Sequence, residues 1–513
     1  MSTTPLITPT NQKSWKNRHD TFKQQIDNLF DIANGNTGNN LNDYNATTAA
    51  IRQLIGRAIQ QNKRLRALGG GWSWTKVAAT EGWILNTKQL NMRFPVSAAS
   101  ISGSYQGNRD QLLFAQCGNS IQELNTHLKQ RNKSLKNCGA SNGQTIVGAF
   151  STGTHGSAID AGSTPDFIVG LHIIISADEH IWLERESYPV AADAFIQKLQ
   201  TRLVRNDDLF NAALVSFGSF GFIHGVMIET EEIYLLECYR IRLPLEEQLK
   251  HVMETLDFSN AAFMPHGSER PFHFQIVVNQ YDMASGAYAT IMYKRKFTPD
   301  YTPPVVDVDK AGPGDDVPAF LGKLTDLLPS ITPQIVNKLI KTSFLTYRNV
   351  LGTLGEIFTN NDTRGRVLST ALGVPISFVN EVNTLLIELN KRVGPFSGVL
   401  SYRYVKKSSA MIGFTKFDHT CIIELDGVES SVTRRFYAVV WDELERRNIP
   451  YTFHYGKVGN LNPARLRKMF PAEIDKWITA RNKLLTPESM KIFGSDTLSE
   501  WGLDRVVSQL RPV

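Results

Sequence analysis

The stretch that decides the reading runs Gln144-Thr145-Ile146-Val147-Gly148-Ala149-Phe150-Ser151-Thr152-Gly153-Thr154-His155-Gly156-Ser157. After Gln144 and Thr145 it runs apolar, ends dense in glycine and hydroxyl residues, and carries no Asp, Glu, Lys or Arg. Backbone N–H groups in such turns form anion-binding nests, to which serine and threonine hydroxyls add donors. An earlier run has the same character: Arg66-Ala67-Leu68 reads as the end of a short strand entering Gly69-Gly70-Gly71-Trp72-Ser73-Trp74. One such loop can hold a phosphate, and two in one region can grip a pyrophosphate or a flat ring system. A third apolar segment, Leu214 to Glu229, carries Gly218, Gly221 and Gly225. Glycine weakens a strand, so its recurrence there points to tight packing or to something large against the backbone.

Around these loops the chain alternates helical and strand patterns. Thr21 to Ala33 and Thr48 to Asn62 read as amphipathic helices, with strands at Arg64 to Leu68 and Gly82 to Leu85. Leu112 to Cys117 reads as a strand, Ile121 to Arg131 as a helix, Phe167 to Ser176 and His180 to Glu186 as a strand pair, and Ala191 to Arg202 as a helix. After about residue 235 the pattern becomes that of an antiparallel sheet with helices, as in Phe272 to Asn279 and Ala287 to Lys294. Pro299 to Asp316 reads as an exposed connector or lid, followed by helices at Val317 to Leu328, Pro333 to Lys341 and Ser377 to Lys391. Strands return at Gly398 to Lys406 and Thr420 to Leu425, then a helix at Val432 to Arg447, a strand at Tyr451 to Tyr455 and a helical tail.

Composition sets the outer limits. The 513 residues are 42% apolar and 20% charged, an ordinary globular balance that excludes collagen-like, coiled-coil and disordered classes. No apolar run approaches the ~18 residues of a membrane span. The polar opening, Met1 to Asn17, has no apolar core of a secretory signal. Cys117, Cys138, Cys238 and Cys421 lack CxxC spacing, so neither a disulfide framework nor a metal site is expected and a cytoplasmic, reducing compartment fits. The net charge of +6 is too mild for a nucleic-acid binder. The basic residues Arg465, Arg467, Lys468, Lys476, Arg481 and Lys483 read as a solvated helical face.

The common fingerprints GxGxxG, GxxxxGK[ST] and HExxH are missing. One GxSxG match, Gly139-Ala140-Ser141-Asn142-Gly143, admits a serine hydrolase with Ser141 as nucleophile. That motif needs a helix after it, and the glycine-dense stretch that follows is a poor one. His172 and Trp182, Trp441 and Trp477 read as core.

The two loops, the segment Ser216-Phe217-Gly218-Ser219-Phe220-Gly221-Phe222-Ile223 and the later His454-Tyr455-Gly456-Lys457 together resemble the vanillyl-alcohol oxidase (FAD-binding PCMH-type) superfamily. The last of these is similar to the His-Trp-Gly-Lys motif of its aldonolactone and alditol oxidase branch. The resemblance implies an α+β fold: a two-subdomain PCMH-type FAD-binding domain over 1–235, a cap domain over 236–457 with an antiparallel sheet flanked by helices, and a segment 458–513 returning to the first. It implies that FAD is bound by Gly69, Gly70, Gly71, Trp72, Ser73, Trp74, Gly148, Ser151, Thr152, Gly153, Thr154, His155, Gly156, Ser157, Gly218, Gly221 and Ile223. Relatives that tether FAD use a histidine where this chain has Trp72, and doubly tethered ones a cysteine where it has Ser141. Non-covalent FAD is therefore expected.

On the substrate side the branch carries Glu-x-Arg on a cap strand, where this chain reads Ser401-Tyr402-Arg403. The arginine is kept and the acid is gone. Strand alternation puts Ser401 and Arg403 on one face, and Glu424 and Asp426 on one face of the next strand. A carboxylate on an apolar strand must be paired or functional, so Glu424 is expected to replace the lost acid and pair with Arg403. The implied activity is oxidation of an alcohol carbon in a sugar lactone, polyol or other hydroxylated small molecule, by hydride transfer to flavin. Glu424 or His454 would take the hydroxyl proton, Lys457 would balance charge on the flavin, and Arg403, with Ser401 and Glu424, would orient the substrate. Dioxygen or another acceptor would reoxidise the flavin. A redox-silent flavin binder is the remaining alternative.

Overall fold

A computed structural model of the chain describes residues 6–305, 331–360 and 367–506. Three sheets of more than two strands organise the described residues. The first is four-stranded, in the order Leu6–Pro9, Asn28–Ala33, Trp83–Asn86, Leu65–Leu68. Its last three strands run parallel, so Leu65–Leu68 delivers the chain into Gly69-Gly70-Gly71 at the sheet's carboxyl end. The helix Asn40–Gln60 packs on the strand Ile168–Ile174 and the helices Asp193–Leu199 and Pro487–Ile492. It is capped by Asn39, whose side chain accepts from the N–H groups of Leu41 and Asn42, and it buries Tyr44, Ile51, Leu54, Ile55 and Ala58 on one face.

The second sheet runs Arg202–Arg205, His180–Glu184, Ile168–Ile174, Phe222–Glu232, Leu112–Gln116, Arg93–Pro95. Lys133–Leu135 pairs with the far end of Phe222–Glu232. The glycine-rich second loop leaves this region through a short helix, Ile146–Ser151, before Gly153 takes φ +79°.

The third sheet is eight-stranded and antiparallel: Tyr347–Gly352, Tyr234–Leu243, Ala287–Lys296, His273–Val278, Gly398–Lys406, His419–Val428, Val367–Pro375, Thr452–Phe453. The helices Glu247–Thr255, Val379–Val393 and Ser431–Arg446 pack with one another and against this sheet. The helix Glu473–Leu484 packs back on Asp207–Leu214, and Trp477 Nε1 donates to the Val215 carbonyl at 3.0 Å.

The mixed-layer fold agrees with the expectation, and several elements do not. Thr21 to Ala33 is not a helix but the strands Lys23–Gln25 and Asn28–Ala33. The cause is tertiary: Asn28–Ala33 is hydrogen-bonded on both sides, and Phe30 and Ile32 enter the main core while Leu29 enters a separate cluster on the other face. The basic tail is not uniformly a solvated face. Arg481 is buried and donates to the carbonyls of Ser219 and Met490, and Arg465 is buried against Asp442 and Glu445. His172 is a core histidine as read, bonded to Tyr44 and His180, and Trp182, Trp441 and Trp477 are core. The helix expected over Val317 to Leu328, and the connector beyond residue 305, lie outside the described residues.

Candidate active site

The glycine loops and the third sheet face one cleft of about 1590 Å³, counted to its open mouth. Gly69, Gly70, Gly71, Trp72, Ser73, Trp74, Gly148, Ser151, Thr152, Thr154, His155, Gly218, Gly221 and Ile223 all line it, together with Arg403, Glu424, His454 and Lys457. Gly153, Gly156, Ser157 and Ser401 are not part of the wall. Gly153 turns the chain beneath Phe414, and a side chain at Gly156 would strike Asn137 and the Cys138 carbonyl. The Ser157 hydroxyl donates to the Phe274 carbonyl and accepts from Tyr404 N–H at 3.1 Å, tying the loop to two cap strands. Ser401 is fully buried and accepts from Gln275 Nε2 at 3.2 Å.

The two loops need their glycines largely because they pack on each other. A Cβ on Gly69 would stand 2.0 Å from Thr145 Oγ1, and one on Gly143 would stand 2.5 Å from the Trp72 ring. Gly71 and Gly218 instead need the left-handed backbone, at φ +70° and +67°. Trp72, whose ring lies close against Gly70 and Gly143, also lies under the Arg18 guanidinium at 4.8 Å.

Two lining residues were not anticipated. His19, on the segment before the first parallel strands, donates from Nε2 to the Trp72 carbonyl at 2.9 Å and stacks on Trp74 with centroids 3.7 Å apart. Burial holds its pKa down to about 3. Arg66 is buried and reaches the carbonyls of Val77, Phe217, Gly218 and Phe493. With four N–H groups so used, its Nε–H is left without a partner, as is Trp72 Nε1–H. No carboxylate neutralises Arg66 among the described residues, and burial lowers it to about 10, helped by Arg481 and Arg64. A buried guanidinium in a cleft wall is costly unless an anion meets it. Backbone loops, orphaned donors and this charge together fit the anionic dinucleotide FAD. No spacing pattern marks His19, whereas Arg66 stands inside the quoted run, in the strand that enters the first glycine loop.

The third sheet and the turn after its last strand supply charge. Gly398–Lys406 and His419–Val428 pair with Ser401 opposite Glu424. Arg403 Nε lies 3.3 Å from Glu424 Oε2, and Lys457 Nζ lies 3.3 Å from Glu424 Oε1. Burial alone would raise the Glu424 carboxyl, but Arg403 and Lys457 outweigh it and hold the group well below the usual carboxylate range. Asp426 is pushed up to about 6 by burial, against the pull of Lys457 at 3.9 Å and with the help of Glu424. Lys457 also donates to Ser369 Oγ at 2.9 Å and lies 4.6 Å over the Trp74 ring, which joins the cap charges to the first loop. His155 Nε2 is 3.9 Å from Glu424 Oε1.

Ser141 has no setting for hydrolysis. Its hydroxyl is met by the Asn360 side-chain amide at 3.4 Å, the preceding strand ends at Leu135, and the next helix begins only at Ile146.

Comparison with known proteins agrees with this construction. A family profile described as an FAD binding domain matches residues 44–184. The L-gulono-1,4-lactone dehydrogenase of Mycobacterium tuberculosis is 23% identical over 443 residues, covering 85% of this chain and 90% of that protein. The L-gulonolactone oxidase of Mus musculus is 26% identical over 208 residues, 40% of each chain. In fold, the cholesterol oxidase of B. sterolicum superposes with a TM-score of 0.68 at 13% identity, covering 96% of this chain and 97% of that one. A glycine-built dinucleotide cleft, an FAD binding domain matched over residues 44–184 and redox relatives over most of the chain's length mark it as an FAD-dependent oxidoreductase, in a fold similar to that of the PCMH-type FAD-binding flavoenzymes.

Proposed function

We propose that the protein oxidises a secondary or primary alcohol on a small oxygen-rich molecule of the sugar-lactone or polyol kind, within the vanillyl-alcohol oxidase superfamily. The observation that carries this is the convergence of Arg403, Glu424, Lys457 and His454 on the same cleft as the glycine loops. A redox-silent binder has no use for four buried polar groups facing the cofactor cleft. Residues 1–235 with 458–513 would hold FAD, and 236–457 would close over the substrate.

FAD, when bound, supplies the two-electron acceptor for the carbon's hydrogen. The chain's own residues do the rest. Arg403 presents a planar fork of donors that orients substrate oxygens. Glu424, kept ionised, accepts hydrogen bonds from substrate hydroxyls and fixes both cations. Lys457 would supply positive charge to balance the electrons taken up by bound FAD. His454 bonds the reacting oxygen. Ser401, behind Glu424, sets the strand through Gln275.

Trp72 stands where a tethering histidine would be and an indole forms no such bond, so FAD is held by non-covalent contacts alone. Four buried, unpaired cysteines suit the reducing cytoplasm. Dioxygen or another acceptor regenerates the cofactor. The test is a spectrum of purified protein followed by acid precipitation. Bands near roughly 370 and 450 nm with colour released to the supernatant are expected. Anaerobic bleaching of those bands by L-gulono-1,4-lactone, D-arabinono-1,4-lactone or sorbitol then identifies the substrate class. A colourless protein that takes up no FAD would refute the reading.

A further inference from the structure

Two histidines meet in the cleft with ring centroids 5.5 Å apart, and their hydrogen-bond duties are opposite. His155 Nδ1 lies 2.9 Å from the Gly156 carbonyl oxygen, which can only accept. Nδ1 therefore carries the hydrogen, and the neutral ring keeps its lone pair on Nε2. His454 Nδ1 lies 2.9 Å from the N–H of Gly456, which can only donate. Its hydrogen therefore sits on Nε2. One ring offers an acceptor and the other a donor. A hydroxyl is the small functional group that answers both at once, donating to the first and accepting from the second.

From this geometry we infer that His155 Nε2 receives the proton of the substrate hydroxyl while His454 Nε2–H holds the same oxygen. The inference rests on the alcohol-oxidation reading and assigns its proton acceptor, a duty for which Glu424 and His454 are both poorly placed. Glu424 is pinned by Arg403 and Lys457 as an ionised, weakly basic carboxylate. The lone pair of His454 Nδ1 is already engaged by Gly456. His155 has what remains. His155 lines the cleft, and Glu424 Oε1, 3.9 Å from its Nε2, stabilises the imidazolium once it forms.

The groups facing His155 are Arg403 and Glu424 from the paired cap strands, Lys457 and His454 from the turn after the last strand, and the uncharged Phe414 ring. Burial, then Arg403 and Lys457, keep the resting imidazole neutral against the opposing pull of Glu424. In the step, the O–H bond breaks and its proton passes to Nε2. The carbon gives up its hydrogen with both electrons to the oxidised flavin, the oxidant, and the C–O bond becomes a carbonyl.

The test uses the FAD-loaded protein with imidazole-15N histidine, and then a variant. Nitrogen NMR at neutral pH is expected to show His155 protonated on Nδ1 and His454 protonated on Nε2, with assignments from His155→Gln and His454→Gln. In anaerobic stopped flow, His155→Gln should retain the flavin bands yet bleach about 10²- to 10⁴-fold more slowly with whichever of L-gulono-1,4-lactone, D-arabinono-1,4-lactone or sorbitol reduces the wild type. The wild-type rate should fall toward acid pH, and the variant's should not. A His155 ring protonated on Nε2, or a variant that bleaches within tenfold of wild type, overturns the assignment. A wild type reduced by none of the three overturns the alcohol-oxidation reading instead, and His155 falls with it.

Discussion

Replacing Glu424 with glutamine removes one charge from a buried, three-cornered cluster without changing its volume. In the wild type, each of the two contacts at 3.3 Å is worth about 5 kcal/mol at an effective dielectric of about 20, before desolvation is subtracted. Arg403 and Lys457 are 4% and 12% exposed at the side chain, so neither regains much hydration when its partner is neutralised. Breaking one side of such a pair costs about 3–5 kcal/mol. Asp426, 3.9 Å from Lys457, takes up part of that cation's field, which puts Glu424→Gln near the lower end, about 3 kcal/mol. The assay is urea unfolding of the FAD-saturated protein at pH 7.5, run on Glu424→Gln, Arg403→Met and the double variant. If the cluster is a buried ion pair, the double variant is less destabilised than the sum of the singles, with a coupling of about 1–3 kcal/mol. Additivity within about 0.5 kcal/mol, or a Glu424→Gln protein as stable as wild type, would refute the electrostatic account of the cap wall.

Three further outcomes follow from the same structure. Asp426 has a folded pKa raised to about 6, so its contribution favours folding at low pH and is lost as pH rises through 6. Asp426→Asn should therefore stabilise the protein at pH 8 and lose that advantage toward pH 4, as read by thermal melts across the range. His224, fully buried between Tyr44 and Gln116, has its pKa lowered by burial to about 3. Its neutral form supports the fold above the unfolded value of 6.5, and that support drains away as pH falls. Removing it as His224→Gln should flatten the acid limb of the stability curve by about 1.4 kcal/mol per pH unit, measured by urea unfolding between pH 6 and 4. Gly69→Ala puts a methyl 2.0 Å from Thr145 Oγ1 and pries the two loops apart, at about 1–3 kcal/mol. FAD affinity should drop roughly tenfold to hundredfold by fluorescence titration, and Gly69→Ala with Thr145→Ala should recover part of it.

How much of this could be read in advance depended on whether the relevant contact was local. The strand Leu65–Leu68 and its glycine turn were legible because hydrophobic run and turn residues adjoin in sequence. Strand alternation likewise put Arg403 with Ser401, and Glu424 with Asp426, although only the observed register, Ser401 opposite Glu424, brings the arginine within reach of the carboxylate. Asn28–Ala33 was misread because Ile26, Leu29, Phe30 and Ala33 stand at i, i+3, i+4 and i+7, a helical spacing, and only pairing on both edges selects the strand. His19 could not be found, since its partners Trp72 and Trp74 lie far along the chain and nothing near it announces them. Arg481 was misjudged for the same reason. Its acceptor, the Ser219 carbonyl, is in the glycine-bearing segment Ser216 to Ile223, and a tail helix becomes a buried buttress only once that loop is in place.

The two cleft histidines lie between these extremes. Each tautomer is set by the backbone beside it: Gly156 follows His155 directly, and Gly456 follows His454 by two residues. A β-carbon at Gly156 would meet Asn137 and the Cys138 carbonyl at 2.3–2.7 Å, and one at Gly456 would meet the His454 ring at 3.2 Å. In both places the glycine lets the chain turn tightly enough for a backbone group to engage Nδ1. The choice of donor or acceptor at the working nitrogen is thus written into two dipeptide-scale turns, while the meeting of the rings 5.5 Å apart is a product of the whole fold. The first histidine comes from the glycine loop and its counterpart from the turn after the last strand of the third sheet, so neither segment alone could meet a hydroxyl from both sides. Packing the third sheet against the glycine loops is what brings the two rings to one cleft.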